Sequence, residues 1–136
     1  MSETIRSHFQ WEVHKQAFET AMKVFEVSVG FPKEERYSLT DQFRRSARSV
    51  AGNLAEAWGK RLYEGSFVSR LTDAHGEACE AQDWVAFAVR CQYLDREEGV
   101  RLHQAYEDII RMIVSIRRNA DQWVIRPDSE TRGPAA

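Results

Sequence analysis

The chain has 136 residues, 43% of them apolar and 29% charged, enough to enclose one apolar core in a single domain. Its formal net charge of −2 gives no whole-molecule field to draw it onto nucleic acid or an acidic membrane. No window approaches the ~20 apolar residues of a membrane helix, and the opening Met1 to Arg6 carries no signal-peptide run, so a soluble, cytoplasmic protein is expected.

Residues 1–11 read as a flexible N-terminal segment. The first predicted helix runs from about Glu12 to Val29, with Phe18, Met22, Phe25 and Val29 in the 4-3-4 spacing of one buried face. Gly30-Phe31-Pro32 stops it. The second starts near Ser38, which with Asp41 makes a capping arrangement, and its core face is Leu39, Phe43, Ala47, Val50, Leu54 and Ala57. Its small residues, Gly52 among them, predict unusually close packing against a neighbour, since glycine costs on the order of 1 kcal/mol against alanine in a helix.

The third predicted helix carries Phe67, Leu71, Ala74, Ala78, Ala81, Val85 and Ala88, a strict alternation of four and three that marks a bundle seam. Cys79 and Cys91 both fall in it, ~18 Å apart at the helical rise and too distant to bridge, so reduced thiols are expected. Asp95 and Glu98 form the capping box of the fourth helix, whose seam is Leu102, Tyr106, Ile109, Ile113 and Ile116. Residues 121–136 read as a polar, disordered tail.

These elements specify an all-α chain, an antiparallel up-down-up-down four-helix bundle over residues 12–120. The third and fourth helices are apolar around more of their circumference than one bundle face requires. A second buried face follows, and with it a homo-oligomer; the alternative is a thicker local core.

No catalytic constellation appears. His8, His14, His75 and His103 never follow a glutamate by three, so the paired metal motifs of bundle oxidases are missing. His75-Gly76-Glu77 has half of a zinc deaminase pattern without the cysteine half. Cys79, flanked by Glu77 and Glu80, sits in the wrong field for a nucleophile and reads as a small core residue. A protein that is not an enzyme is expected, with no metal, no cofactor and no small-molecule substrate.

The charges are locally bipolar. Arg36, Arg44, Arg45, Arg48, Lys60 and Arg61 outnumber Asp41 and Glu56, and then Glu64, Asp73, Glu77, Glu80 and Asp83 outnumber Arg70. Arg44, Arg45 and Arg48, extended by Lys60 and Arg61, form a candidate ridge for the phosphates of RNA or DNA, with Trp58 and Tyr63 as stacking surfaces. The alternative is a solvated face paired with the acidic third helix of the same or an adjacent subunit. Asn53 and Glu56, three residues apart, are placed to reach Arg70 or Glu80 on the third helix, as a register-fixing network or a partner contact.

The run from Gly30-Phe31-Pro32-Lys33-Glu34-Glu35-Arg36-Tyr37-Ser38-Leu39 through Arg44-Arg45-Ser46-Ala47 to Asn53-Leu54-Ala55-Glu56 resembles the bacterial four-helix bundle family related to the 23S ribosomal RNA intervening-sequence protein. Phe67, Leu71, Ala74, Gly76 and Glu80 extend the likeness into the third helix, over roughly residues 9 to 120. Ala57 stands where the family has glycine, and His14 where it often has tryptophan, with Trp11 close by. The resemblance implies a bundle that assembles into a ring, typically of five subunits. A related bundle, the accessory protein of diversity-generating retroelements, forms a basic pentamer that works with a reverse transcriptase and nucleic acid. Arg44, Arg45, Asn53, Glu56 and Glu80 are the family-matching polar residues, and no catalytic role comes with them. The expected function is that of a nucleic-acid or ribonucleoprotein accessory module; the alternative is a protein-interaction scaffold without nucleic-acid binding.

Overall fold

The computed structural model describes residues 4–126, so most of the tail lies outside the described residues. Four helices make up the fold: α1 (Glu12–Ser28), α2 (Leu39–Gly59), α3 (Glu64–Arg90) and α4 (Arg96–Arg118). Single 3-10 turns precede α1, enter α2 and follow α4, and no strand occurs among the described residues. Each helix packs on its neighbours in sequence, and α4 closes the bundle against α1. The faces between α1 and α2 and between α3 and α4 are therefore on opposite sides of the molecule.

The caps follow side-chain chemistry. Asp95 Oδ1 accepts from Glu98 N at 2.8 Å and satisfies an orphan donor of the first turn of α4. At the start of α2 the expected cap is corrected. Ser38 makes no side-chain capping bond. Its hydroxyl instead donates to Glu35 Oε1 at 2.6 Å, and the same oxygen accepts from Leu39 N at 3.3 Å. A carboxylate from the preceding turn thus does the capping, which also complements the positive end of the helix dipole.

Every seam residue expected on α2, α3 and α4 is buried. The fully enclosed Phe43, Leu54, Phe67, Leu71, Ile109 and Ile113 each contribute roughly 1.5–3 kcal/mol by burial. The core also takes in Trp11 from before α1 and Ala120 from after α4, with Trp123 packed against it. Trp11 stacks among Trp58, Phe67 and Trp123 at centroid distances of 5.3, 6.2 and 5.7 Å.

Helix α1 departs from expectation. Its buried residues are Val13, His14, Ala17, Val24 and Ser28. The anticipated stripe of Phe18, Met22, Phe25 and Val29 is 44, 44, 39 and 66% exposed. Each expected residue is one position, or ~100° of helical rotation, away from a small inward-facing one. The smaller stripe lets α1 lie closer to α2 and α4, and the bulky stripe is left outside.

The close approach assigned to Gly52 lies elsewhere. A Cβ at Gly52 would meet nothing within 4 Å, whereas one at Gly99, in the first turn of α4, would collide with a methyl of Val89 on α3. Valine is stiff at χ1 and cannot swing aside. Gly99→Ala should accordingly destabilise the fold by about 1–3 kcal/mol in chemical denaturation. Gly52→Ala should leave it unchanged or raise stability by up to ~1 kcal/mol, through helix propensity alone.

Candidate functional site

The basic residues of α2 divide into two groups. Arg36, from the turn before the helix, joins Arg44, Arg45 and Arg48 around an open groove of about 610 Å³ whose lining includes Tyr37, Thr40 and Ser49, with Asp41 as its one carboxylate. The positions 44, 45 and 48 recur at one turn, so the helix itself brings the three side chains to one side. Lys60 and Arg61 lie at the far end of α2, ~24 Å along its axis. Arg61 is turned back on its own helix: its Nε donates to Trp58 O at 2.8 Å and its guanidinium lies 3.5 Å from the Trp58 ring centroid. Burial holds its pKa below the ordinary arginine value. Trp58 is itself buried, so neither it nor Arg61 continues the groove.

Within the groove the arginines differ in what they already hold. Arg44 Nε donates to Ser28 Oγ at 2.8 Å, and its guanidinium sits 4.7 Å from the centroid of Phe25. Arg45 is paired with Glu77 at 3.6 Å and with Glu80, both on α3. Arg36 and Arg48 take part in no ion pair among the described residues. Arg36 lies 6.0 Å from the ring centroid of Tyr37.

Asn53, Glu56 and Glu80 do reach across the α2–α3 seam. Asn53 donates to Ser49 O at 2.9 Å and accepts from Arg70 at 3.4 Å. Arg70 also pairs with Glu56 and with Asp73, each at 3.3 Å. Glu80 accepts from Trp84 Nε1 at 3.2 Å besides holding Arg45. The network is on the surface rather than in the core, since the Glu56 side chain is 55% exposed. Exposed pairs of this kind contribute only ~0–1 kcal/mol each, so their effect is orientation more than stability. Cys79 is exposed and not the core residue expected. Among the described residues, no three His, Cys, Asp or Glu side chains gather as a metal site would require, and no helix is long and apolar enough to cross a membrane.

Two features of the site have weak sequence signals. The first is the turn that presents Arg36 and Tyr37. Glu35 holds Ser38 and Leu39 with one oxygen and accepts from the Tyr93 hydroxyl at 2.9 Å with the other. Tyr93 is delivered by the end of α3, where Gln92 takes φ 64° and Tyr93 N donates to Ala88 O at 2.9 Å. This is a Schellman closure with glutamine in place of the usual glycine. The second is an apolar groove of about 330 Å³ between α1 and α2, walled by Phe9, Phe18, Met22 and Phe25 and floored by Ala51, Gly52 and Ala55, with His14 and Arg48 among its lining. His14 is buried, and that burial, followed by the neighbouring His8, lowers its pKa.

Comparison with known proteins places the fold. The profile of a family described as 23S rRNA-intervening sequence protein matches residues 10–115. A solved structure, a protein of unknown function from the S23 ribosomal protein family of Bacteroides thetaiotaomicron, superposes with a TM-score of 0.72 at 23% identity, covering 78% of this chain and 95% of that one. No curated protein matches.

The Glu35 turn carries a pH signature. Hydrogen bonds from Ser38, Tyr93 and Leu39 hold the Glu35 carboxyl below its ordinary value, and the Tyr93 hydroxyl is raised in return. A depressed carboxyl stabilises the fold fully above its unfolded pKa and loses that contribution as pH falls through the lower folded value. Tyr93→Phe should therefore melt below the wild type at neutral pH. In thermal scans the gap should close as pH falls through the depressed folded value of Glu35, below which the carboxyl is protonated in both proteins.

Proposed function

The chain belongs to the 23S rRNA-intervening sequence protein family, and from that premise we propose that it acts as a non-enzymatic, ring-forming bundle that assists a nucleic acid or ribonucleoprotein. The observation that carries this reading is the groove in which four arginines face a single carboxylate. Guanidinium groups are weakly hydrated planar forks suited to phosphate oxygens. The net charge of −2 is not an obstacle, because at physiological salt a charge is felt over a Debye length of ~8 Å, and Arg36, Arg44 and Arg48 hold no ion pair among the described residues. Arg36 and Arg48 are the groove's uncommitted cations, and Arg44 is presented by Ser28 and Phe25.

The ring has its support on the opposite helices as well as on α1. Phe18, Met22 and Val29 are large, apolar and exposed, and on the α3–α4 side Val100 is 60% exposed in an open groove that Val85 and Val89 also line. Two unlike apolar surfaces on opposite sides favour head-to-tail contact between copies, which closes to a ring when the rotation allows. Five copies in the cytoplasm is the assembly proposed. The scaffold reading, in which the arginines serve protein contacts, draws on a different observation: Arg45 is already spent on Glu77 and Glu80.

Changing Arg36, Arg44 and Arg48 together to glutamine should abolish binding of labelled RNA and single-stranded DNA in fluorescence anisotropy, while the oligomer survives in light scattering. Wild-type affinity should fall with salt at a log–log slope of about −2 to −3, as three or so phosphate contacts require. Absence of binding by the wild type at ~50 mM salt would leave the scaffold reading. Phe18→Ser with Met22→Ser, which spares the Phe25 support of Arg44, should convert the assembly to a helical monomer by native mass spectrometry.

A further inference from the structure

We infer that the nucleic acid this chain takes is single-stranded, its phosphates held in the arginine groove and its bases stacked on Tyr37 and on the Phe87–Trp84 pair. The inference rests on the reading of that groove as a nucleic-acid contact, and adds the state of the strand. Tyr37 is 84% exposed in the groove wall. Phe87 is 51% exposed and leans on Trp84 at a centroid distance of 5.8 Å and an angle of 40°. The pair is tied to the groove by one shared carboxylate: Glu80 accepts from Trp84 Nε1 and holds Arg45. Aromatic rings therefore flank the cations on both the loop and the α3 side.

Rings so placed have different value to the two forms of nucleic acid. A duplex offers phosphates and groove edges, and its base faces are already stacked within, so Tyr37 and Phe87 would contribute nothing to holding it. A single strand exposes a π-face on every base, and each base–aromatic stack adds about 5-fold to 100-fold in affinity. Glu77 and Glu80 repel phosphates from the α3 side of Arg45, so the backbone follows Arg36, Arg44 and Arg48 while the α3 side is left to bases. The surfaces expected to stack, Trp58 and Tyr63, are excluded by position. Trp58 is covered by Arg61, and Tyr63 follows the far end of α2.

The test is fluorescence anisotropy of the full chain at ~50 mM salt with labelled single strands of about 12 nucleotides, DNA and RNA, against duplexes of the same length. Wild-type protein should hold the single strands at least about tenfold tighter than the duplexes. Tyr37→Ala and Phe87→Ala, both at exposed positions and checked for helicity by circular dichroism, should each weaken single-strand binding about tenfold and leave duplex binding unchanged, with Tyr37→Phe restoring it. Equal affinity for duplex and single strand, or unchanged binding by both alanine variants, overturns this inference and leaves the groove's phosphate contact standing. No binding of either form overturns the contact itself and this inference with it.

Discussion

The buried rows of α2 and α3 are built largely of alanine: Ala47, Ala51 and Ala57 on one helix, Ala74, Ala78, Ala81 and Ala88 on the other. These two helices share the most extensive contact in the molecule. Alanine carries little transfer energy of its own, but it sets how near two helix axes can come. Near approach has a cost for the rest of the design, because the apolar volume given up on the seam must be supplied from elsewhere. Phe43 and Phe67 within the two helices, Tyr106 and three isoleucines from α4, and Trp11 from before α1 supply it.

The same proximity decides what the surface charges do. With α2 and α3 close, Arg45 reaches Glu77 and Glu80, and Arg70 reaches Glu56 and Asp73 on one side and Asn53 on the other. The bipolar charge of the sequence is thereby largely cancelled within the chain along the middle of the seam. It is not cancelled around the groove, where Arg36, Arg44 and Arg48 hold no ion pair among the described residues. The groove is thus the residue of an electrostatic pairing that runs out. Its position is fixed by the turn before α2, and that turn is held by Glu35 against Tyr93.

Legibility in the sequence followed the number of competing apolar stripes. On α3 the four-three alternation has no rival of equal strength, and all seven seam residues were readable. On α1 two adjacent stripes differ by one residue, and periodicity alone favours the one with more hydrocarbon; the neighbours' demand for small side chains decided for the other. Glycine was misread for a related reason. Propensity shows that Gly52 is costly but not whether space requires it, and the required glycine, Gly99, looked like an ordinary first-turn residue. The arginine triplet was visible because α-helical spacing is local. The separation of Lys60 and Arg61 from it was not, since the return of Arg61 onto Trp58 depends on a buried ring that only tertiary packing positions. Tyr93 and Glu35, 58 residues apart, left no local trace at all.

What kind of function can such a molecule carry? Core side chains occupy its interior, and the concavities described above are open grooves on its outside. Open grooves are poor places to exclude water or to hold a small substrate, where most of the ligand must be buried. They suit extended partners that gather many weak contacts along their length. Two of these grooves are chemically opposite, one guanidinium-lined and one phenyl-lined, and they meet at α2, where Arg48 contributes to both. If copies cover the phenyl groove, each contact also fixes where the next arginine groove stands. A polyanion laid along the assembly then meets several grooves at once, and linking weak sites raises avidity by mass action with no new contact. Self-association and phosphate binding are on this view a single design, joined through the helix that carries both faces.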